Sequence, residues 1–151
     1  MTTTKRLLRS LPAEYRDRLM ELAREVSFPE DARIFEEHGT ADRFWVIRSG
    51  AVTLDLQLPG RRVVTVETLG TGDLLGWSWL FPPYEWGFGA EALSPVRAYE
   101  FDGADARALC EQNPALGFAV MRAVAEVLGH RLHTARSRLL DLYVPHTAEP
   151  L

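Results

Sequence analysis

Between Arg43 and Phe101 the chain is cut into short apolar runs by glycine and proline, and no run is long enough for a helix. Arg43-Phe44-Trp45-Val46-Ile47-Arg48 ends at Ser49-Gly50. Ala51 to Leu56 alternates at period two up to Leu58-Pro59-Gly60, and Val63 to Leu69 ends at Gly70-Thr71-Gly72-Asp73. Trp86 to Ala92 and Val96 to Phe101 form a last pair around Ser94-Pro95. Short strands spaced by such turns close into a small antiparallel barrel or roll, because each strand can bury only one face. Helical periodicity flanks this region. Residues 11–25 carry Tyr15, Leu19, Leu22 and Ala23 on one face behind Pro12, a good first-turn residue. Asp102 offers an N-cap for a short helix ending near Glu111-Gln112. Asn113-Pro114 then opens a long one reaching about Tyr143, where Pro145 stops it. The expected fold class is α+β: an antiparallel β-roll, jelly-roll-like, flanked by an N-terminal helix and a long C-terminal helix. Residues 1–10 read as a tail, 11–143 as one domain with its long helix over 114–143, and 144–151 as a second tail.

The segment Gly72-Asp73-Leu74-Leu75-Gly76-Trp77-Ser78 has the layout of a phosphate cradle, a glycine turn able to aim backbone N–H groups at one anion. From Gly72 to Phe88 it holds no Arg, Lys or His. It holds six aromatics within twelve residues: Trp77, Trp79, Phe81, Tyr84, Trp86 and Phe88. Two readings stay open. The rings line a pocket for a more apolar ligand, or they fill the pocket and leave a scaffold. A buried indole N–H needs an acceptor, and Ser78 or Glu85 stands near enough in sequence to supply one.

Composition excludes several classes. A net charge of −4 and a pI near 5.6 do not suit general nucleic-acid binding, which needs clustered cations. No apolar run approaches a membrane span, and the polar N-terminus has no secretion signal, so a cytoplasmic protein is expected. Cys110 is the only cysteine and reads as a packed helix residue. His38, beside Glu36 and Glu37, reads as a turn residue. His130 and His133 sit three apart on the long helix, as a zinc half-site would, but Arg131, Arg136 and Arg138 mark that region as a solvated or dimer-flanking face. Arg61-Arg62 is a charged hairpin tip. No nucleophile is placed with a base, so no enzyme and no metal site is expected. Along the long helix Met121, Val124, Leu128, Leu132, Ala135, Leu139 and Leu142 recur at spacings of three and four, a stripe suited to a core or to a homodimer seam.

The order helix, roll, short helix, long helix, with a Gly-Asp cassette late in the roll, resembles the cyclic nucleotide-binding domain of Crp/Fnr-type regulators. Phe28-Pro29 with Ile34 to Val52 looks like that family's first hairpin, Leu69 to Gly76 like the start of its phosphate-binding cassette, and Glu91 to Arg97 like the strand behind it. The resemblance covers roughly residues 10 to 143. It implies a ligand pocket at Gly72, Asp73, Leu75, Gly76, Trp77, Ser78, Trp86, Gly87 and Phe88, with Ala135 and Arg136 at the helix positions that face the base. It also implies two departures. Where the family's ribose-binding Glu stands this chain has Trp77, and where its phosphate-binding Arg and following Ser or Thr stand it has Trp86 and Gly87. Losing one partner of a buried charge pair costs about 2–5 kcal/mol, roughly 30- to 3,000-fold in affinity. Crp/Fnr regulators continue into a helix-turn-helix domain, whereas eight residues follow Tyr143 here, so this chain alone is not expected to bind DNA directly. The expectation is therefore a non-catalytic regulatory module, dimeric through the long helix, requiring no cofactor and acting through a protein partner or an altered small ligand. The alternatives are a cyclic nucleotide sensor that uses backbone amides and tryptophan stacking, a regulator dependent on a DNA-binding partner, and a cupin-like metalloenzyme.

Overall fold

A computed structural model describes residues 6–60 and 62–144. A helix α1 (Ala13–Met20) precedes eight strands: β1 (Arg24–Phe28), β2 (Arg33–Phe35), β3 (Arg43–Ser49), β4 (Val52–Leu58), β5 (Arg62–Leu69), β6 (Leu74–Leu75), β7 (Gly89–Ala92) and β8 (Val96–Asp102). Helices α2 (Gly103–Gln112) and α3 (Pro114–Asp141) close the chain. The strands form two antiparallel four-stranded sheets, ordered β1-β8-β3-β6 and β2-β7-β4-β5. This is the jelly-roll-like arrangement expected from the turn spacing.

Two cores result. Between the sheets lie Trp45, Ile47, Val52, Leu54, Leu75 and Trp86. Between the first sheet and the helices lie Phe44, Leu74, Trp79, Phe101, Leu116 and Val120. Alternation along β3 serves both, since Phe44 and Val46 face the helices while Trp45 and Ile47 face the other sheet. The predicted caps form: the Asp102 carboxylate accepts from the Asp105 N–H at 2.9 Å, and Asn113 Oδ1 accepts from the Leu116 N–H at 3.1 Å ahead of Pro114.

Three sequence expectations change. The N-terminal helix stops at Met20 rather than at 25, because Arg24 to Phe28 pair with β8 from Glu100 to Val96; ladder hydrogen bonds outweigh a weak helical preference. The 1–10 segment is not wholly a tail, since Leu7 is fully buried against the helix-side core. The last strand pair begins at Gly89, not Trp86, because residues 84–86 bond to the loop at 38–41 instead. Arg61, the start of the chain before Arg6, and the tail from Pro145 through His146 to Leu151 lie outside the described residues.

Glu100 joins the first sheet electrostatically. Its carboxylate is buried and accepts from Arg24 at 2.6 Å and from the Trp45 indole N–H at 3.0 Å, with Arg43 at 3.5 Å. Burial pushes its pKa up, but the hydrogen bonds from Arg24 and Trp45 and the charges of Arg43 and Arg24 outweigh this, and the net shift is downward. A depressed folded pKa gives stability that is present above the ordinary carboxylate pKa and lost as pH falls through the folded one. Replacing Glu100 with Gln should therefore cost about 1–3 kcal/mol at neutral pH. In urea unfolding, the gap between wild type and variant should narrow as the pH drops below the ordinary carboxylate range; a constant gap would contradict this account.

Candidate functional site

The Gly-Asp turn keeps the geometry its residues suggest. Gly72 has φ +87, donates to the Ile47 carbonyl at 2.7 Å, and leaves no room for a Cβ beside the Arg6 side chain. Asp73 is buried; its Oδ2 accepts from the Gly70 N–H at 2.8 Å, while its Oδ1 has no protein partner. Leu75 pairs with Trp45 across β3 and β6 and belongs to the inter-sheet core. Ser78 is buried at the start of a 3-10 turn.

The aromatic segment crosses from β6 in one sheet to β7 in the other and feeds both cores. Trp79 is fully buried on the helix side, stacked on Phe44 with centroids 4.2 Å apart. Trp77 is half-buried, packs on that same core and tilts toward Phe81 at 5.9 Å. Trp86 turns the other way, into the roll. Its backbone is pinned by hydrogen bonds from its N–H to the Gly39 carbonyl and from the His38 N–H to its own carbonyl, both 2.8 Å. Its indole stacks on Phe35 at 3.9 Å and 14° and lies across Gly76, where a Cβ would meet the six-membered ring at 2.9 Å. Gly76 has φ +96. Gly87 is exposed with open space around it, and Phe88 packs against the inter-sheet core. Neither Ser78 nor Glu85 supplies the acceptor for a buried indole: Trp45 donates to Glu100, and the Trp79 N–H has no partner.

Among the clefts of the described residues, one of about 450 Å³ lies between β5 and α3. Arg131, Thr134, Ala135 and Arg138 line it from the helix, and Thr65, Val66 and Glu67 from the strand. Two arginines tie the helix to the roll here. Arg131 donates to the Leu74 carbonyl and sits 3.9 Å from Glu67, and Arg138 donates to the Val66 carbonyl at 2.7 Å. Burial lowers the Arg131 pKa, partly offset by Glu67 and Asp73. None of the cassette positions lines this cleft. Of the two helix positions, Ala135 lines it and Arg136 does not: Arg136 is exposed. Arg131, expected on a solvated or dimer-flanking face, is instead packed against the roll with its side chain 10% exposed, and it shares one helix face with Thr134 and Arg138 through steps of three and then four residues.

The stripe on α3 is two stripes. Val124 turns inward with Val120 and Val127 and is 1% exposed, so it cannot belong to a seam. Phe118, Met121, Ala125, Leu128, Leu132, Ala135, Leu139 and Leu142 follow the alternating three–four spacing of a coiled-coil seam. Leu128 is half-buried, whereas Leu132 is 71% and Leu142 78% exposed. Elsewhere, His38 is an exposed turn residue at φ +74. Cys110 is half-buried, its thiol pKa raised by burial and by Glu111. Among the described residues no group of three His, Cys, Asp or Glu could hold a metal, and no helix is long and apolar enough to cross a membrane.

The cyclic nucleotide-binding domain family matches residues 25–113. The CRP-like cAMP-activated global transcriptional regulator of Mycobacterium tuberculosis is 28% identical over 117 residues, 78% of this chain and 50% of that protein. The chain thus spans about half the length of the curated relatives it matches. A crystal structure from Geobacter metallireducens GS-15, assigned as a cyclic nucleotide-binding protein, superposes with a TM-score of 0.74 at 32% identity, covering 88% of this chain and all of that one. The catabolite activator protein of Thermus thermophilus gives 0.74 at 25% identity, over 91% of this chain and 62% of its own.

If Trp86 is a wall of the inter-sheet core, Trp86→Ala should cost about 3–5 kcal/mol. Gly76→Ala should also destabilise, through its Cβ contact with the Trp86 ring and its positive φ. Combining the two should cost less than their sum, because removing the ring removes the clash. Additive costs in denaturant unfolding would place the ring elsewhere.

Proposed function

This chain belongs to the cyclic nucleotide-binding domain family, and we propose that it is a non-catalytic regulatory module of that family. In this reading its phosphate position is closed by its own tryptophan, and two copies pair along α3. The observation that supports this is the packing of Trp86, which the resemblance sets against the family's phosphate-binding arginine: its indole is stacked on Phe35 and laid over Gly76. Gly87, at the following Ser or Thr, brings no hydroxyl. A phosphate entering there would meet a ring and no cation, and desolvation without a charge partner is costly. Trp77 and Trp86 each pack into a different core, which leaves neither ring lining the cleft beside α3 for a purine to stack on.

Regulation would then run through α3. Arg131 and Arg138 fix the helix to carbonyls of the roll, so whatever occupies the cleft between them biases the helix position, and with it the seam to a second copy. The rival reading is cyclic AMP sensing. It draws on the M. tuberculosis relative, which is described as cAMP-activated, and on the preserved Gly-Asp turn.

Two measurements separate these readings. Calorimetric titration with cyclic AMP and cyclic GMP to millimolar concentration should give no saturable heat; a micromolar isotherm would overturn the closed site. Light scattering should give twice the 17.0 kDa chain mass, and Leu132→Asp combined with Leu139→Asp should return a monomer. A monomeric wild type would remove the seam.

A further inference from the structure

Resting on the closed phosphate position, we propose that the cleft between β5 and α3 binds an amphipathic monoanion: a carboxylate carried on an aliphatic chain. The apolar wall is made by Val66, Ala135, Leu139 and Leu142, all aliphatic, and no aromatic ring lines the cleft to stack a nucleobase. Its volume of about 450 Å³ is within the range of small-molecule sites.

The polar end selects charge. Arg131 and Arg138 face one carboxylate, Glu67, so the lining residues carry one net positive charge. That balances a monoanion and leaves a phosphate dianion or a cyclic dinucleotide under-compensated. Arg131 is incompletely satisfied: its side chain is 10% exposed, its Nη2 is spent on the Leu74 carbonyl, and its Nε has no hydrogen-bond partner, with Glu67 standing off at 3.9 Å. Arg138 is exposed and donates to the Val66 carbonyl. Thr65 and Thr134 add hydroxyls nearby. A carboxylate among these groups is held by charge-assisted hydrogen bonds, while its chain covers Leu139 and Leu142, which are 54% and 78% exposed. Because Ala135, Leu139 and Leu142 belong also to the outward stripe of α3, such a ligand borders the surface a second copy would meet.

The test is calorimetric titration of the full chain with decanoate below its micelle concentration, with decanol as the uncharged comparator and cyclic AMP run in parallel. Decanoate should bind saturably, one per chain, and more tightly than decanol. Arg138→Gln should weaken it about tenfold or more. Ala135→Trp, on the cleft wall and the outward stripe alike, should abolish binding while the chain stays folded by far-UV circular dichroism. Absent saturation, equal affinity for decanol, or unchanged affinity in both variants would each overturn the proposal. Silence from both decanoate and cyclic AMP would remove this ligand class and leave the closed phosphate position standing; saturable cyclic AMP binding would remove both.

Discussion

The arrangement of this molecule turns on one stack of rings: Trp86 on Phe35, with the indole edge over Gly76. It joins residues from three separate elements of the roll. Phe35 belongs to β2 in the second sheet, Gly76 follows β6 in the first, and Trp86 sits on the connection between the sheets. The stack therefore closes the roll from inside, with Trp45 flanking at 6.1 Å. A polar side chain at position 86 would be set among these rings with little to satisfy it, so the tryptophan and the apolar roll interior depend on each other. Apolar burial at this point and an open anion site are competing uses of one volume.

The density of aromatics after Gly76 follows from the same geometry. A connection that leaves one sheet and enters the other must supply apolar volume to both interiors within a few residues. Trp79 fills the helix-side core against Phe44, and Trp86 and Phe88 fill the inter-sheet core. Helix α3 is coupled to this region by its arginines, whose acceptors are backbone carbonyls of β5 and β6. Backbone carbonyls cannot be removed by substitution, so sequence change on the roll leaves the tether in place; only a shift of the helix or of the strands breaks it.

Much of the fold was legible because it is written in local chemistry. Asp102 and Asn113-Pro114 mark two helix starts, and glycine and proline mark the hairpins, each acting through its own backbone or side chain. What depended on partners distant in sequence was not legible. Residues 21–25 continue a helical period, yet Arg24 sits in a strand because Glu100 lies opposite. Val124 and Ala125 fit the α3 stripe equally well by spacing, and only the packing of the helix into the helix-side core decides which turns inward. Leu7 carried no signal in its polar surroundings. At the site, the resemblance sets Trp86 against the family's phosphate arginine, but the direction of the indole was not legible, because hydrogen bonds to residues 38–41 set it. The lining role of Arg131 and Arg138 could have been found from their seven-residue separation on one helix face.

The most direct measurement is fluorine NMR of protein labelled with fluorotryptophan, which gives one resonance for each of the four tryptophans. Trp86 is assigned by its loss in a Trp86→Phe variant. With the phosphate position closed, the Trp86 resonance stays fixed as cyclic AMP is added to millimolar concentration, since nothing reaches Gly76. A saturable shift or broadening of that resonance would mean the ring gives way to nucleotide, and would contradict the account at its centre.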